Sequence, residues 1–347
     1  MIRVGIAGLG FMGWIHYLAY RRIRGAKLAA VCEQDAKRRS GDWRDIKGNF
    51  GPPGEIVDLS GMARYTKLED LVADPSLDVI ESCLPPAAHA DAAVMALKAG
   101  KHVFCEKPMA LTTADCRRMV DAAQTAGKQL MIGHVLPFFP EYAQAVKLIR
   151  SGKYGRLLGG TFKRVISDPL WLKDFYDLQR CGGPLIDLHV HDAHLIRFLY
   201  GMPTGVLSQG RTKGGTVSYC HTQFRFADPS LVVSATSGVI DQQGRPFTHG
   251  FEIHLEKATL HYEFAAFTDT GETMPLKIVT DKGDVLRPQI DSSDPVQAFV
   301  AEIKEVLRCV GANQPSPILS GDLARDAIIL SHKQAESVNK QRLVKIG

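Results

Sequence analysis

The stretch Ile2-Arg3-Val4-Gly5-Ile6-Ala7-Gly8-Leu9-Gly10-Phe11-Met12-Gly13 decides the fold. A short apolar run of strand length passes directly into glycines spaced Gly-x-Gly-x-x-Gly, and a helical stretch follows through about Arg24. Gly8 permits a tight turn, Gly10 lets the backbone approach a pyrophosphate, and Gly13 lets helix pack closely on strand. The helix N-terminus beginning at Phe11 and Met12 then favours the anion. Alone the motif is weak, because glycines cluster in loops by chance. Its place between a strand and a helix gives it meaning as a dinucleotide site. Glu33 falls 20 residues beyond Gly13, at the end of a second strand over Leu28 to Cys32. A carboxylate there accepts from a ribose diol and repels a 2′-phosphate, so NAD is favoured over NADP. Lys37, Arg38 and Arg39 lie close enough to blur that preference. The plainer reading of Glu33 is a surface residue on a loop.

Working outward, strands and helices alternate. Helices are expected over Leu68 to Val72, Ala87 to Ala99 and Thr113 to Ala126, with strands over Val79 to Leu84, His102 to Cys105 and Gln129 to Gly133. This rhythm predicts an α/β Rossmann domain, a doubly wound parallel sheet over residues 1–134, with ligands along the C-terminal edge of its strands. The Gly- and Pro-rich segment from Gly48 to Gly61 breaks the rhythm and reads as an inserted surface loop. Beyond Gly133 the pattern changes. After a helix from Pro140 to Ser151, longer runs of period two appear at 159–165, 222–226, 231–236, 250–255, 259–264 and 276–279. They predict a C-terminal α+β domain over residues 135–347, built on a large open, mainly antiparallel sheet. Its final helices, 295–310 and 322–340, are able to pack back on the first domain.

Composition sets mild bounds. The 347 residues suffice for two cores, and 45% hydrophobic with 23% charged content is ordinary for a globular protein. The net charge of +5 comes from scattered Lys and Arg, and the run at 37–39 reads as a solvated helix face, so no nucleic-acid partner is expected. Seven cysteines without CxxC spacing read as reduced, buried small hydrophobes. The chain enters a strand at once, and no apolar run approaches the roughly 20 residues that span a bilayer. A cytoplasmic protein without membrane association is the expectation.

Three further motifs carry chemistry. Glu106-Lys107-Pro108 follows the buried-looking run His102-Val103-Phe104-Cys105, so Lys107 stands where it can reach both a nicotinamide and a substrate hydroxyl. At Cys83-Leu84-Pro85-Pro86-Ala87-Ala88-His89 the prolines force the chain away from the sheet. Leu84, Pro85 and His89 read as a wall of the nicotinamide pocket, and a simple helix-starting turn explains His89 equally well. In Gly182-Gly183-Pro184-Leu185-Ile186-Asp187-Leu188-His189-Val190-His191-Asp192, a helix from Leu185 to Tyr200 puts Asp187 and His191 on one face. An imidazole beside a carboxylate can be held in one tautomer as an acid/base group, or be a satisfied core histidine.

Together these motifs resemble the glucose–fructose oxidoreductase / inositol dehydrogenase (Gfo/Idh/MocA) family across nearly the whole chain. The resemblance implies an NAD(P)-dependent dehydrogenase acting on CH-OH donors. It also implies a sugar, glycoside or cyclitol substrate, and a homodimer or homotetramer formed through the C-terminal sheet. It casts Lys107 as anchor of the reacting oxygen, His191 as proton carrier and Asp187 as the group that orients both, with Glu106 beside the cofactor. His134 and Trp171 complete the expected substrate site; core packing serves Trp171 equally. Pro137 stands where family members often carry a polar residue, which makes part of the substrate wall apolar. Asp187, His189, His191 and His194 include metal-ligand types, but on one helix His189 points away from the other three, and no metal is assigned. Two readings from other classes stand beside this one: a redox-neutral glycosidase or lyase that keeps NAD tightly bound, and a non-catalytic NAD-binding regulator.

Overall fold

The computed structural model describes residues 1–48 and 50–347. The chain divides into two compact units, one of residues 1–139 with 292–325 and one of residues 140–291 with 326–347.

The first unit holds a six-stranded parallel sheet. Its strands are β1 (Ile2–Ala7), β2 (Ala26–Cys32), β3 (Ala63–Tyr65), β4 (Val79–Ser82), β5 (His102–Glu106) and β6 (Leu130–Gly133), in the spatial order β3-β2-β1-β4-β5-β6. Helices α1 (Phe11–Tyr20), α2 (Ala36–Arg39), α3 (Leu68–Ala73), α4 (His89–Lys98) and α5 (Thr113–Ala126) connect them. Strands β4 and β5 are buried along their whole length, as a parallel sheet covered on both faces requires. The strand order reverses at β1, which pairs with both β2 and β4, and this switch point puts the glycine turn beside Cys83. Helix α5 spans the residues the sequence predicts; the Thr112 hydroxyl accepts from the Asp115 amide at its start, and Gly127 at φ +61° ends it.

The same unit is completed from far along the chain by α8 (Val296–Ala312). Val296, Phe299, Val300, Ile303 and Val306 recur at helical spacing and are buried in the same core as Ile15, Leu18 and Trp14 of α1. Burying each such side chain stabilises by about 1.5–3 kcal/mol.

The second unit holds α6 (Pro140–Arg150), α7 (Val190–Tyr200) and a nine-stranded sheet. Its strands are β7 (Leu157–Ser167), β8 (Gly205–Lys213), β9 (Thr216–Arg225), β10 (Val232–Ile240), β11 (Phe247–Leu255), β12 (Ala258–Ala266), β13 (Gly271–Thr280), β14 (Val285–Leu286) and β15 (Val344–Lys345). Their order is β14-β13-β12-β11-β7-β10-β9-β8-β15; β7 and β10 run parallel and every other pair is antiparallel. The boundary between the units falls inside α9 (Gly321–Lys340).

Four local differences from the sequence reading have physical causes. Helix α1 ends at Tyr20 rather than near Arg24, where Gly25 at φ +96° turns the chain into β2. Strand β4 stops at Ser82, before the prolines. The sequence reading lacks β8, because only its first half is buried and the polar second half shows no alternation. Residues 185–189 form a π-helical turn ahead of α7 rather than the first turn of a regular helix.

Candidate functional site

The three motif glycines differ in what surrounds them. A Cβ on Gly8, at φ +93°, would lie 2.7 Å from the Cys83 carbonyl oxygen, and one on Gly13 would lie 2.3 Å from that of Gly8. These two are required by packing. A Cβ on Gly10 would meet nothing within 4 Å, so this is the open side of the turn. Helix α1 has no side-chain N-cap, which leaves the amides of its first turn, Phe11, Met12 and Gly13, pointing along the axis toward that opening. Free amides at an uncapped helix start suit the anionic group of a nucleotide.

Glu33 spans the same edge. One carboxylate oxygen accepts from the Leu9 amide at 2.9 Å and the other from the Asp35 amide at 3.0 Å, which fixes its orientation and leaves lone pairs for a ribose diol. The neighbouring basic residues are engaged. Arg38 forks onto Asp45 at 2.8 and 3.2 Å and reaches the Leu9 carbonyl, while Arg39 donates to the carbonyls of Glu33 and Gln34. The 37–39 run is therefore partly tied to the cofactor edge rather than being a plainly solvated face.

His89 is buried, with Nε2 2.7 Å from the Leu84 carbonyl and Nδ1 2.8 Å from the Pro108 carbonyl. It ties the Leu84-Pro85 turn to the Lys107-Pro108 turn, whose peptide bond is cis. Burial holds its pKa below the ordinary value while the two carbonyls pull it back up. A carbonyl only accepts, so a neutral ring donates to one of them and the imidazolium to both.

Lys107 is the half-buried residue in an otherwise buried run from His102 to Ala110. Its amide donates to a Glu106 carboxylate oxygen at 3.1 Å. The other Glu106 oxygen lies 3.0 Å from His16 Nε2, and His16 Nδ1 lies 2.6 Å from Glu81. Gly133 leaves room for this carboxylate, since a Cβ there would lie 2.9 Å from it. His134, next in the chain, is fully buried.

In the second unit the π-helical turn carries the other motif. Asp187 and His191 are partly accessible, whereas residues 188–190 and 192–196 are buried. His189 turns inward, with Nε2 3.0 Å from the Gln334 side-chain oxygen, and burial lowers its pKa. Asp192 forms a buried bidentate pair with Arg164 at 2.7 and 3.2 Å. His194 is fully buried. Trp171 is 63% exposed between the exposed Leu170 and Leu172, which excludes the core-packing reading. Tyr176 and Lys213 both bind Asp168 at the start of this loop.

Among the described residues, donor atoms within 4.8 Å of one another gather at His16-Glu81-Cys83 and at His16-Glu106-Glu302, and neither group includes His189, His191 or His194. Sequence reasoning missed this cluster. Its members each stand as a polar residue in an apolar window, Trp14-Ile15-His16, Val79-Ile80-Glu81 and Phe299-Val300-Ala301-Glu302-Ile303.

Residues 2–134 match the family model described as oxidoreductase family, NAD-binding Rossmann fold, and residues 142–261 match the GFO/IDH/MocA C-terminal domain. The chain belongs to the GFO/IDH/MocA oxidoreductase family. It is an NAD-binding oxidoreductase. A myo-inositol 2-dehydrogenase from Thermotoga maritima is 25% identical over 99% of this chain and 98% of its own length. An inositol 2-dehydrogenase from Salmonella typhimurium is 34% identical over 45% of this chain and 44% of its own. In fold, a levoglucosan dehydrogenase solved with NADH and levoglucosan superposes with a TM-score of 0.79 at 22% identity, covering 99% of both chains.

Proposed function

We propose that the protein moves a hydride between NAD and a secondary alcohol or ketone of a cyclitol, sugar or anhydrosugar. The observation that carries this reading is the end-to-end similarity to an inositol dehydrogenase, joined to the accessibility of Lys107, Asp187 and His191 amid buried neighbours. NAD supplies the hydride acceptor. The glycine turn and α1 hold its pyrophosphate, Glu33 holds the adenosine ribose, and Leu84, Pro85 and His89 wall the nicotinamide. Lys107 binds the reacting oxygen and stabilises the alkoxide that develops on it. His191 takes the hydroxyl proton, or returns it when a ketone is reduced, and Asp187 orients the imidazole and the substrate. His134 and the exposed ring of Trp171 contribute to the substrate wall. NADP is the weaker cofactor, because the fixed Glu33 carboxylate opposes a 2′-phosphate.

A homodimer or homotetramer through the second unit's sheet follows from family membership. The seven cysteines are all free thiols, in keeping with a cytoplasmic protein. No helix among the described residues is long and apolar enough to cross a membrane.

The test is NADH formation on a panel of myo-inositol, levoglucosan and aldoses, with NAD+ and NADP+ separately. One substrate class is expected to respond, and Lys107→Ala and His191→Ala are each expected to lose about 10²–10⁴-fold in kcat/KM with NAD binding retained. No NADH from any member, with NAD bound, would overturn the dehydrogenase in favour of redox-neutral or regulatory use.

A further inference from the structure

The buried cluster beneath the Lys107 turn has a role that the site residues themselves do not describe. Six ionisable groups from four parts of the first unit meet there: His16 and Tyr20 of α1, Glu81 and Cys83 at the end of β4, Glu106 at the end of β5, and Glu302 of α8. His16, Glu81 and Glu302 have essentially no exposure, and Glu106 has 5%. The imidazole of His16 stacks on Phe104 at 5.5 Å with Phe299 at 5.6 Å, so its faces are apolar, while Nδ1 hydrogen-bonds Glu81 and Nε2 lies 3.0 Å from Glu106. Tyr20 donates to the second oxygen of Glu81.

We propose that His16 is a positioning residue for Lys107: its imidazolium clamps the Glu106 carboxylate, and that carboxylate holds the Lys107 amide and fixes the turn from which the ammonium projects. The inference rests on the reading that Lys107 acts on substrate.

The geometry favours a cation at this place. Two carboxylates lie 2.6 and 3.0 Å from one ring: Nδ1 hydrogen-bonds Glu81, and Nε2 meets Glu106 in a buried ion-pair contact that lacks hydrogen-bond geometry. Burial opposes the charge on His16, but Cys83, Glu81 and Glu106 outweigh it and raise its pKa well above 6.5. Both oxygens of Glu302 are buried without a hydrogen-bond partner among the described residues. Burial and the nearby Glu106 push its pKa well up, which keeps it neutral and leaves His16 to the other two carboxylates.

Nuclear magnetic resonance on the full chain tests this without knowledge of the substrate. The His16 ring nitrogens are expected to show the imidazolium at pH 7.5 (a working pH about one unit above an unperturbed histidine), and the Lys107 amide is expected to exchange slowly with solvent. In His16→Gln that amide is expected to exchange at least about tenfold faster, an opening of about 1.4 kcal/mol. NADH affinity, titrated by fluorescence, is expected to stay within about threefold, and kcat on whichever panel polyol is turned over to fall about tenfold or more. A neutral His16 in the wild type, or an unchanged Lys107 amide in the variant, would overturn the proposal. So would an equal loss of NADH binding, or a stoichiometric metal on the purified protein. The wild-type spectrum answers even where the variant does not fold. Lys107→Ala measured alongside separates the two readings: if it keeps full activity, the role of Lys107 fails, whereas a large loss there beside an unaffected His16→Gln sinks only the clamp.

Discussion

His16 in the first unit and His249 in the second are both buried imidazoles, and their surroundings drive them in opposite directions. His16 sits between two carboxylates with Cys83 beside it, and these neighbours raise its pKa well above 6.5 against the cost of burial. His249 lies 2.8 Å from the Tyr142 hydroxyl with Arg164 nearby, and burial with that guanidinium pushes its pKa down to about 3. Burial is common to both, so the sign is set by the charge next door. The consequence is a pH liability of opposite sense. The raised pKa of His16 contributes stability that is complete below 6.5 and is lost as pH rises through its folded value. The lowered pKa of His249 contributes stability present above 6.5 and lost as pH falls toward about 3.

The comparison breaks most sharply at Arg164. Replacing it with Met strips Asp192 of its bidentate partner in a buried setting, and urea unfolding is expected to show a loss of about 3–5 kcal/mol. The same variant is expected to move the His249 titration upward, since a nearby positive charge is gone; a ring resonance that still titrates near its wild-type position would refute the assignment of cause.

A smaller effect is expected from His249→Gln, which removes the group that resists charging. Its stability at pH 7 is expected to fall by about 1 kcal/mol through the weakened Tyr142 contact. Its further loss between pH 6.5 and pH 4 is expected to be shallower than in the wild type, and parallel thermal-melt profiles for the two proteins would contradict this. The smallest change is expected from Glu302→Gln. A carboxyl whose folded pKa is raised gives stability that is complete below about 4.5 and fades as pH rises through the folded value. The amide cannot ionise, so the variant is expected to gain on the wild type by on the order of 1 kcal/mol or more between pH 4 and pH 9, with the smallest difference at pH 4. A constant offset across that range would show that Glu302 does not titrate there.

Much of the architecture was legible because it is periodic. The glycine turn, the strand and helix alternation and the extent of α5 follow from spacing alone. The second sheet was legible in outline wherever one face is buried and the other is not, as in β9 and β11, and illegible in β8, whose second half is continuously exposed. The candidate site divides in the same way. Glu106, Lys107, Asp187 and His191 announce themselves by motif. The meeting of His16, Glu81, Glu106 and Glu302 does not, because it joins positions far apart in sequence that share no period. His16, Glu81 and Glu302 were visible only as polar residues out of place in apolar runs. The π-helical turn was hidden as well, since a run that suits an α-helix suits a one-residue expansion of it equally.

The first unit closes on itself only when residues 292–325 return to it. During synthesis, the sheet and its glycine turn would emerge from the ribosome with the apolar flank of α1 still uncovered, and would wait for Phe299, Val300 and Ile303 before that flank is sealed. A fragment cut after residue 134 therefore carries every nucleotide-binding motif yet exposes a large apolar surface. Attempts to isolate the dinucleotide module are better served by grafting the α8 segment back through a short linker than by simple truncation.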